Sequence, residues 1–344
     1  MNVLFVGLGG IGQRHLRNLL ELIGSDLNVF AYRVRNASFV LDNKLNIQNG
    51  VSLEEYYPIK VCYSLDEAWK RQIDIVFICN PSSMHYEILR QAVEHSCDVF
   101  VEKPISDKTD GLESIIHACA EKNLVTFVGY QNRFHPCIKR AKHIVESQAI
   151  GSIVAINAEI GEDIKRWHRY EDYRTMYACQ KQLGGGVVLS QIHELDYIPY
   201  LLSAMPSSVF AMGGKLSGLE IDVEDVASIL LSFDIDGKKV LAHIHEDYLQ
   251  NPPSRHCKII GTEGKLEFDL LNAELTQYGV DGQTVLKEKF QFERNDMFLE
   301  EISLFFDAVQ TRKESAISLQ EGLKSLKIAE TVKQSIAIGI PVKL

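Results

Sequence analysis

The stretch Asn2-Val3-Leu4-Phe5-Val6-Gly7-Leu8-Gly9-Gly10-Ile11-Gly12 decides the fold. An apolar run of strand length meets glycines at 7, 9 and 12, and an amphipathic pattern continues from Gln13 to about Ile23. Strand, glycine turn and helix in this spacing serve one purpose: a tight turn, close approach of backbone to a pyrophosphate, and a helix N-terminus whose N–H groups and dipole receive it. The segment from Gly7 to Gly12, with Leu8, Gly10 and Ile11 inside it, is therefore expected to bind a dinucleotide. A merely structural glycine loop is the bland alternative.

The second strand is expected over Leu27–Val34. A site for NAD places an Asp or Glu about 20 residues past the glycines, where it accepts from the ribose 2′-OH. Here Arg33 stands 21 residues beyond Gly12, with Arg35 close by and no carboxylate among its neighbours in sequence. A guanidinium suits a 2′-phosphate and stacks on adenine. NADP is accordingly favoured over NAD, against the plain alternative of two solvated arginines.

Working outward, strands are expected at Ile59–Tyr63, Asp74–Cys79, Val99–Val101 and Val125–Tyr130, alternating with helices. Ser64 has N-cap chemistry, and Ser82 or Ser83 is placed to cap the helix that runs to about His95. Alternation at this spacing means βαβ units and a doubly wound parallel sheet. Ligands of such sheets lie beyond the carboxyl ends of the strands. Asn80 and Pro81 end one strand, where they would lie against the nicotinamide ribose. Glu102 and Lys103 end the next, and Pro104 stops its ladder because it has no N–H to give. Lys103 is thus aimed from a rigid strand end at whatever binds there. His85, in the first turn of the following helix, is either a cofactor contact or a brace for the sheet.

Composition bounds the rest. The chain has 344 residues, too many for one ordinary core, with 46% apolar and 24% charged residues and a net charge of −10. That charge offers nothing to a nucleic acid. No apolar run reaches membrane-spanning length, and no signal-peptide pattern precedes the first strand. Seven scattered cysteines, never in C-x-x-C, suit buried reduced thiols in a cytoplasmic protein and neither a disulfide framework nor a zinc site.

Gly7-x-Gly9-x-x-Gly12, Asn80-Pro81 with His85, Glu102-Lys103-Pro104 and Asn132-Arg133-Phe134 together resemble the Gfo/Idh/MocA family, which includes glucose–fructose oxidoreductase, inositol dehydrogenase and many sugar dehydrogenases. The resemblance continues through Gly184-Gly185-Gly186, His193-Glu194-Leu195-Asp196-Tyr197, Gly261-Thr262-Glu263-Gly264-Lys265-Leu266 and Ile340-Pro341-Val342. It implies a Rossmann domain over residues 1–130 and an α+β domain over 131–344 built on a large, mainly antiparallel sheet, which often serves as an oligomer interface. A homodimer or homotetramer is expected. Trp167, Asp172-Tyr173-Arg174 and the glycine–histidine run look like a subgroup associated with surface-polysaccharide and nonulosonic-acid sugars.

The resemblance also implies hydride transfer between nicotinamide and a hydroxyl or keto carbon of a sugar or nucleotide sugar. It pairs Lys103 with His193 as the catalytic groups, His193 as acid/base and Lys103 polarising the substrate oxygen, and puts Glu102 and Asn132 among the cofactor contacts. Arg133, Ser190 and the basic loop from Lys165 to Arg174 fall on the substrate side. In that loop Trp167 either stacks on a sugar face or is core, and Arg174 (with Arg169) could hold a phosphate or carboxylate. The family commonly has an Asp one turn before the histidine; this chain has Ser190 there, on a helix expected to run from Val187 through His193. Asp196, three residues past His193, is a candidate substitute.

Later strands are expected at Leu230–Phe233, Lys239–His245 and Lys258–Ile260, and helices at Asp296–Ala308 and Leu319–Ala337. His243 and His245 share a strand face without the partners a metal needs. Tyr248, Gln250 and Arg255 are candidates to reach substrate or an interface. Two rival readings remain: a non-catalytic dinucleotide-binding sensor, which Ser190 supports, and cofactor-recycling elimination or glycoside cleavage.

Overall fold

Six parallel strands build the first sheet, in the order Ile59–Cys62, Asn28–Tyr32, Asn2–Val6, Ile75–Ile78, Asp98–Glu102 and Thr126–Gly129. The computed structural model describes residues 1–24, 27–33, 39–42, 46–48, 50–168 and 170–344. Val34, Arg35 and Arg169, used in the sequence reading, lie outside them. Helices Gly10–Ile23, Leu65–Trp69, His85–Glu94 and Leu112–Glu121 make connections between strands. The order of winding reverses beside Asn2–Val6, whose neighbours are the second strand on one side and Ile75–Ile78 on the other. That reversal is the switch point where ligands of open α/β sheets bind, and the glycine turn sits on it.

All four residues of Ile75–Ile78 and all five of Asp98–Glu102 are buried, as strands covered on both faces require. On one face the register brings Phe5, Phe77, Phe100 and Phe127 side by side, one ring from each of four adjacent strands. Their centroids are 4.7, 5.0 and 5.5 Å apart in near-parallel stacks, and Phe305 meets Phe77 and Phe100 edge-on at 5.9 and 5.7 Å. Ser64 caps its helix by accepting from the Glu67 N–H, as its position in sequence indicates. Neither Ser82 nor Ser83 does so for the next helix. A 3₁₀ turn, Ser82–Met84, intervenes, and the Met84 N–H is taken by the Pro81 carbonyl.

The second sheet has nine strands in the order Thr284–Lys289, Glu274–Gly279, Gly264–Asp269, Ser254–Gly261, Ile153–Gly161, Lys238–Asp247, Val226–Ile235, Pro206–Gly214 and Val342–Lys343. Ile153–Gly161 runs parallel to Lys238–Asp247; the other pairs are antiparallel. Burial alternates along Val226–Ile235, with Ala227, Ile229, Leu231 and Phe233 buried while Leu230 is 48% exposed. The segment expected as one helix from Val187 through His193 is two: Val187–Ser190 ends at Gln191, and His193–Leu202 starts afresh after Ile192.

The chain divides into two compact units, 1–130 with 168–172 and 298–323, and 131–167 with 173–297 and 324–344. A single crossing near residue 130 therefore understates how often the backbone passes between them. All seven cysteines are buried and none is in a disulfide. Among the described residues no helix is long and apolar enough to cross a membrane.

Two outcomes test this account. Phe100→Ala should cost about 3–5 kcal/mol, seen as a lower midpoint of urea unfolding, with Phe100→Leu costing much less; equal midpoints would mean the aromatic row contributes nothing. In the second unit His135 caps Pro136–Glu146 by accepting the Cys137 N–H on Nδ1, while its Nε2 lies 3.1 Å from the Leu270 carbonyl. Burial pulls its pKa down to about 4. The unfolded ring takes its proton near 6.5, so this contribution is complete above that value and is lost as pH falls towards 4. His135→Asn, which can still cap but does not titrate, should lose less stability than the parent across that window; parallel stability curves would refute it.

Candidate active site

The glycine turn has the shape a pyrophosphate needs. Gly7 has φ +97°, and a Cβ on it would lie 2.9 Å from backbone atoms of Cys79 and Asn80. A Cβ on Gly12 would meet the Gly7 carbonyl oxygen at 2.2 Å, so the helix can only pack this close with glycine there. Beside Gly9 nothing lies within 4 Å of where a Cβ would be. Gly9 is also the N-cap of Gly10–Ile23 and makes no side-chain cap bond. The first turn thus offers its N–H groups to an incoming acceptor, including those of Gly10 and Ile11. Leu8 is buried, which holds the turn to the sheet. Asn80 adds an Oδ1 that is buried without a partner among the described residues. These features fit a nicotinamide dinucleotide.

At the end of the second strand, Arg33 donates from Nη2 to Oε1 of Glu54. Glu54 belongs to a short helix, Leu53–Tyr56, started by a Ser52–Glu55 capping box. The carboxylate missing beside Arg33 in sequence is therefore supplied through the fold. A 2′-phosphate reaching Arg33 has to compete with Glu54.

Around Lys103 the strand ends are cross-braced. Pro81 directs the backbone into the 3₁₀ turn, and His85 lies between two carbonyls, Nδ1 2.8 Å from Pro104 O and Nε2 2.7 Å from Asn80 O. Burial lowers the pKa of this ring, with the two carbonyls working against the shift. Both nitrogens face backbone, so His85 ties the Asn80 and Lys103 strand ends together instead of turning a nitrogen to a cofactor. Glu102 is likewise directed inward. Its Oε1 is 2.6 Å from His15 Nε2, and its Oε2 accepts the Lys103 N–H at 3.2 Å. The expected cofactor contact is thus an internal brace. Lys103 itself is partly exposed, the only residue from Val99 to Ser106 that is not buried.

In the second unit, His193 opens the helix His193–Leu202 and is 4% exposed. Its Nε2 lies 3.2 Å from Nε2 of Gln131, whose Oε1 has no partner among the described residues. An amide serves either state of the ring, its NH2 donating to a neutral nitrogen and, after rotation, its oxygen accepting from a protonated one. Sequence reading passed over Gln131, although it directly precedes Asn132-Arg133-Phe134. Asn132 shares the buried 3₁₀ turn Gln131–Phe134, and its Nδ2 is unpartnered among the described residues.

Arg133 and Asp196 form a buried bidentate pair, Nε to Oδ2 at 2.8 Å and Nη2 to Oδ1 at 2.7 Å, and the Ser325 hydroxyl donates to Oδ1. Asp196 is therefore committed to Arg133 and Ser325 and does not stand in for the missing aspartate. Arg133 is held within the fold by the same contact, so it is not presented to substrate as expected. Arg255 is similarly engaged, donating from Nε and Nη2 to Glu194 at 2.9 and 2.8 Å. Burial raises the Glu194 pKa, and Arg255 opposes that.

Ser190 is buried at the end of its own short helix, which Gln191 and Ile192 separate from His193–Leu202. Tyr248 is fully buried and donates to the Ala178 carbonyl at 3.3 Å, while Gln250 donates to Glu159 and Asp247. Neither reaches outward. Trp167 packs edge-on against Tyr248 at 5.5 Å, yet its buried Nε1 has no acceptor among the described residues. Arg174 donates to Glu220 at 3.0 Å on the exposed side of the loop. His243 Nε2 is 3.0 Å from Ser228 Oγ, and His245 Nε2 is 3.2 Å from Asp247 Oδ2.

The description of an oxidoreductase family with an NAD-binding Rossmann fold fits residues 1–130, and the GFO/IDH/MocA C-terminal domain fits residues 138–267. An uncharacterized oxidoreductase, YrbE, of Bacillus subtilis is 29% identical over 79% of this chain and 78% of its own length. The myo-inositol 2-dehydrogenase of Thermotoga maritima is 25% identical over 100% of this chain and 98% of its own. Among solved structures, levoglucosan dehydrogenase in complex with NADH and L-sorbose has the same fold, with a TM-score of 0.82 at 17% identity, covering 100% of this chain and 98% of that one. The chain belongs to the GFO/IDH/MocA family of oxidoreductases, and its Rossmann fold is of the NAD-binding type.

Proposed function

We propose that this protein transfers a hydride between a nicotinamide cofactor and a hydroxyl or keto carbon of a sugar or nucleotide sugar. The full-length similarity to an inositol dehydrogenase supports a polyhydroxylated substrate. The observation that carries the reading is the Gln131–His193 contact: a buried imidazole whose partner can follow it through both protonation states. When bound, the nicotinamide supplies the hydride acceptor or donor. In the oxidation direction His193 takes on Nδ1 the proton that leaves the substrate hydroxyl, and Gln131, its amide turned, accepts from Nε2–H and holds that tautomer. Lys103 donates a hydrogen bond to the substrate oxygen as it becomes a carbonyl, stabilising the partial charge there. In reduction both residues act in reverse.

Trp167 is proposed to offer its indole N–H, and Arg174 its guanidinium, to the substrate's polar groups; Asn132 and Asn80 contribute to cofactor binding with the glycine turn. Arg133 and Ser190 act behind these, through the contacts that hold them. Arg33 and Glu54 set the cofactor balance: the guanidinium takes the 2′-phosphate of NADP, and the carboxylate accepts from the 2′-OH of NAD. NADP remains favoured, by a margin that the ion pair narrows. Action in the cytoplasm as a homodimer or homotetramer belongs to the same reading.

Two experiments test it. Glu54→Gln should raise the ratio of NADPH to NADH affinity, measured by quenching of reduced-cofactor fluorescence, and Arg33→Ala should lower it several-fold; ratios that ignore both changes discard the assignment. Against a panel of sugars and nucleotide sugars, with absorbance of the reduced cofactor as readout, His193→Ala and Lys103→Met should each lower turnover by ~10²–10⁴ while cofactor affinity stays near the parent value. A His193→Ala variant of full activity removes the acid/base role.

A further inference from the structure

A buried cluster in the first unit lies outside the chemistry described so far. His15, on Gly10–Ile23, is fully buried, and its ring is packed by Phe100, Phe298 and Phe77 with centroids 4.9, 5.9 and 6.2 Å away. One ring edge places Nε2 2.6 Å from Glu102 Oε1. From the other edge, Glu301 Oε1 is 3.9 Å from Nδ1. Nδ1 and both Glu301 oxygens are buried with no hydrogen-bond partner among the described residues. One ligand atom from each of His15, Glu102 and Glu301 lies within 4.8 Å of the others, and the 2.6 Å between Nε2 and Glu102 Oε1 is the length of a charge-assisted hydrogen bond.

An aromatic enclosure of this kind does not hold two carboxylate charges side by side. Burial and the neighbouring Glu102 both raise the Glu301 pKa, while Arg14 opposes the shift. The Cys79 thiol also faces the cluster, and burial and the two glutamates push its pKa up. Burial and the neighbouring carboxylate thus both disfavour a charge on Glu301, while Glu102 is the carboxylate that His15 meets at hydrogen-bond distance. The backbone of Gly129 closes the far side, where a Cβ would come within 3.1 Å of Glu102 Oε1.

We propose that His15 is a positioning residue for Lys103. The His15 Nε2–H holds Oε1 of Glu102, and Oε2 of the same carboxylate holds the Lys103 N–H, so the direction in which the lysine leaves its strand is set from the neighbouring helix. This rests on the role given to Lys103 under the proposed function. Without the ring, Glu102 has no donor on Oε1 and is free to rotate, and the Lys103 N–H then loses its acceptor.

The test compares His15→Ala with His15→Gln, whose amide can still donate to Glu102. Lysines are methylated reductively with ¹³C, and the Lys103 signal is identified by its loss in Lys103→Met. In His15→Ala the Lys103 resonance should move and kcat should fall on the order of tenfold to a hundredfold, with cofactor Kd within about twofold of the parent. His15→Gln should restore most of both. If the alanine variant does not fold, His15→Asn, polar but too short to reach Glu102, takes its place. An unmoved Lys103 resonance in a folded Ala or Asn variant overturns the proposal, as does a Gln variant no better than Ala. Absence of turnover with every sugar would sink the proposed function alone, because the Lys103 resonance decides this inference without catalysis.

Discussion

A carboxylate sealed at the end of a parallel strand must be met by donors or lose its charge, and Glu102 is where that constraint falls on this protein. One strand of the sheet, the helix under the glycine turn and the helix Arg294–Thr311 that carries Glu301 all converge on it. The same helix Gly10–Ile23 presents its uncapped N-terminus to a pyrophosphate and its buried face to Glu102. Cofactor cradle and lysine support are therefore two sides of one helix. The four stacked phenylalanines under this corner make the enclosure dry, which strengthens the His15–Glu102 bond and raises the cost of losing it.

The second unit solves a comparable problem with ion pairs. Glu194 and Asp196, in the first turn of His193–Leu202, carry charge where the helix dipole favours it. Each is buried, and each is matched by an arginine through two hydrogen bonds. Buried pairs of this kind add little net stability, because desolvation consumes most of their attraction; a lost partner is what costs. Their effect is to fix one orientation of the helix that carries His193. Gln131, from the turn that also contains Arg133, then meets an imidazole whose position is already set.

The parts legible in sequence were those governed by backbone. Three glycines in a fixed spacing, an apolar run ahead of them and proline after Lys103 describe local geometry, and the parallel sheet and its switch point follow from such local rules. The antiparallel strands showed only in part: Thr284–Lys289 has two adjacent apolar residues followed by three charged ones, and no alternation separates it from a loop. Side-chain commitments were less legible. Arg133, Arg255 and His85 have the residue types of ligand contacts, yet each is occupied by a partner within the fold. Glu54 was missed because 21 residues of chain separate it from Arg33.

Sequence alone determined that this chain builds a dinucleotide-binding parallel sheet with a lysine at one strand end, since turn chemistry and hydrophobic period act over a few neighbouring residues. Tertiary structure alone decided which charges are spent internally. A buried carboxylate or guanidinium pairs with whatever the fold brings within about 3 Å, and that distance has no counterpart along the chain.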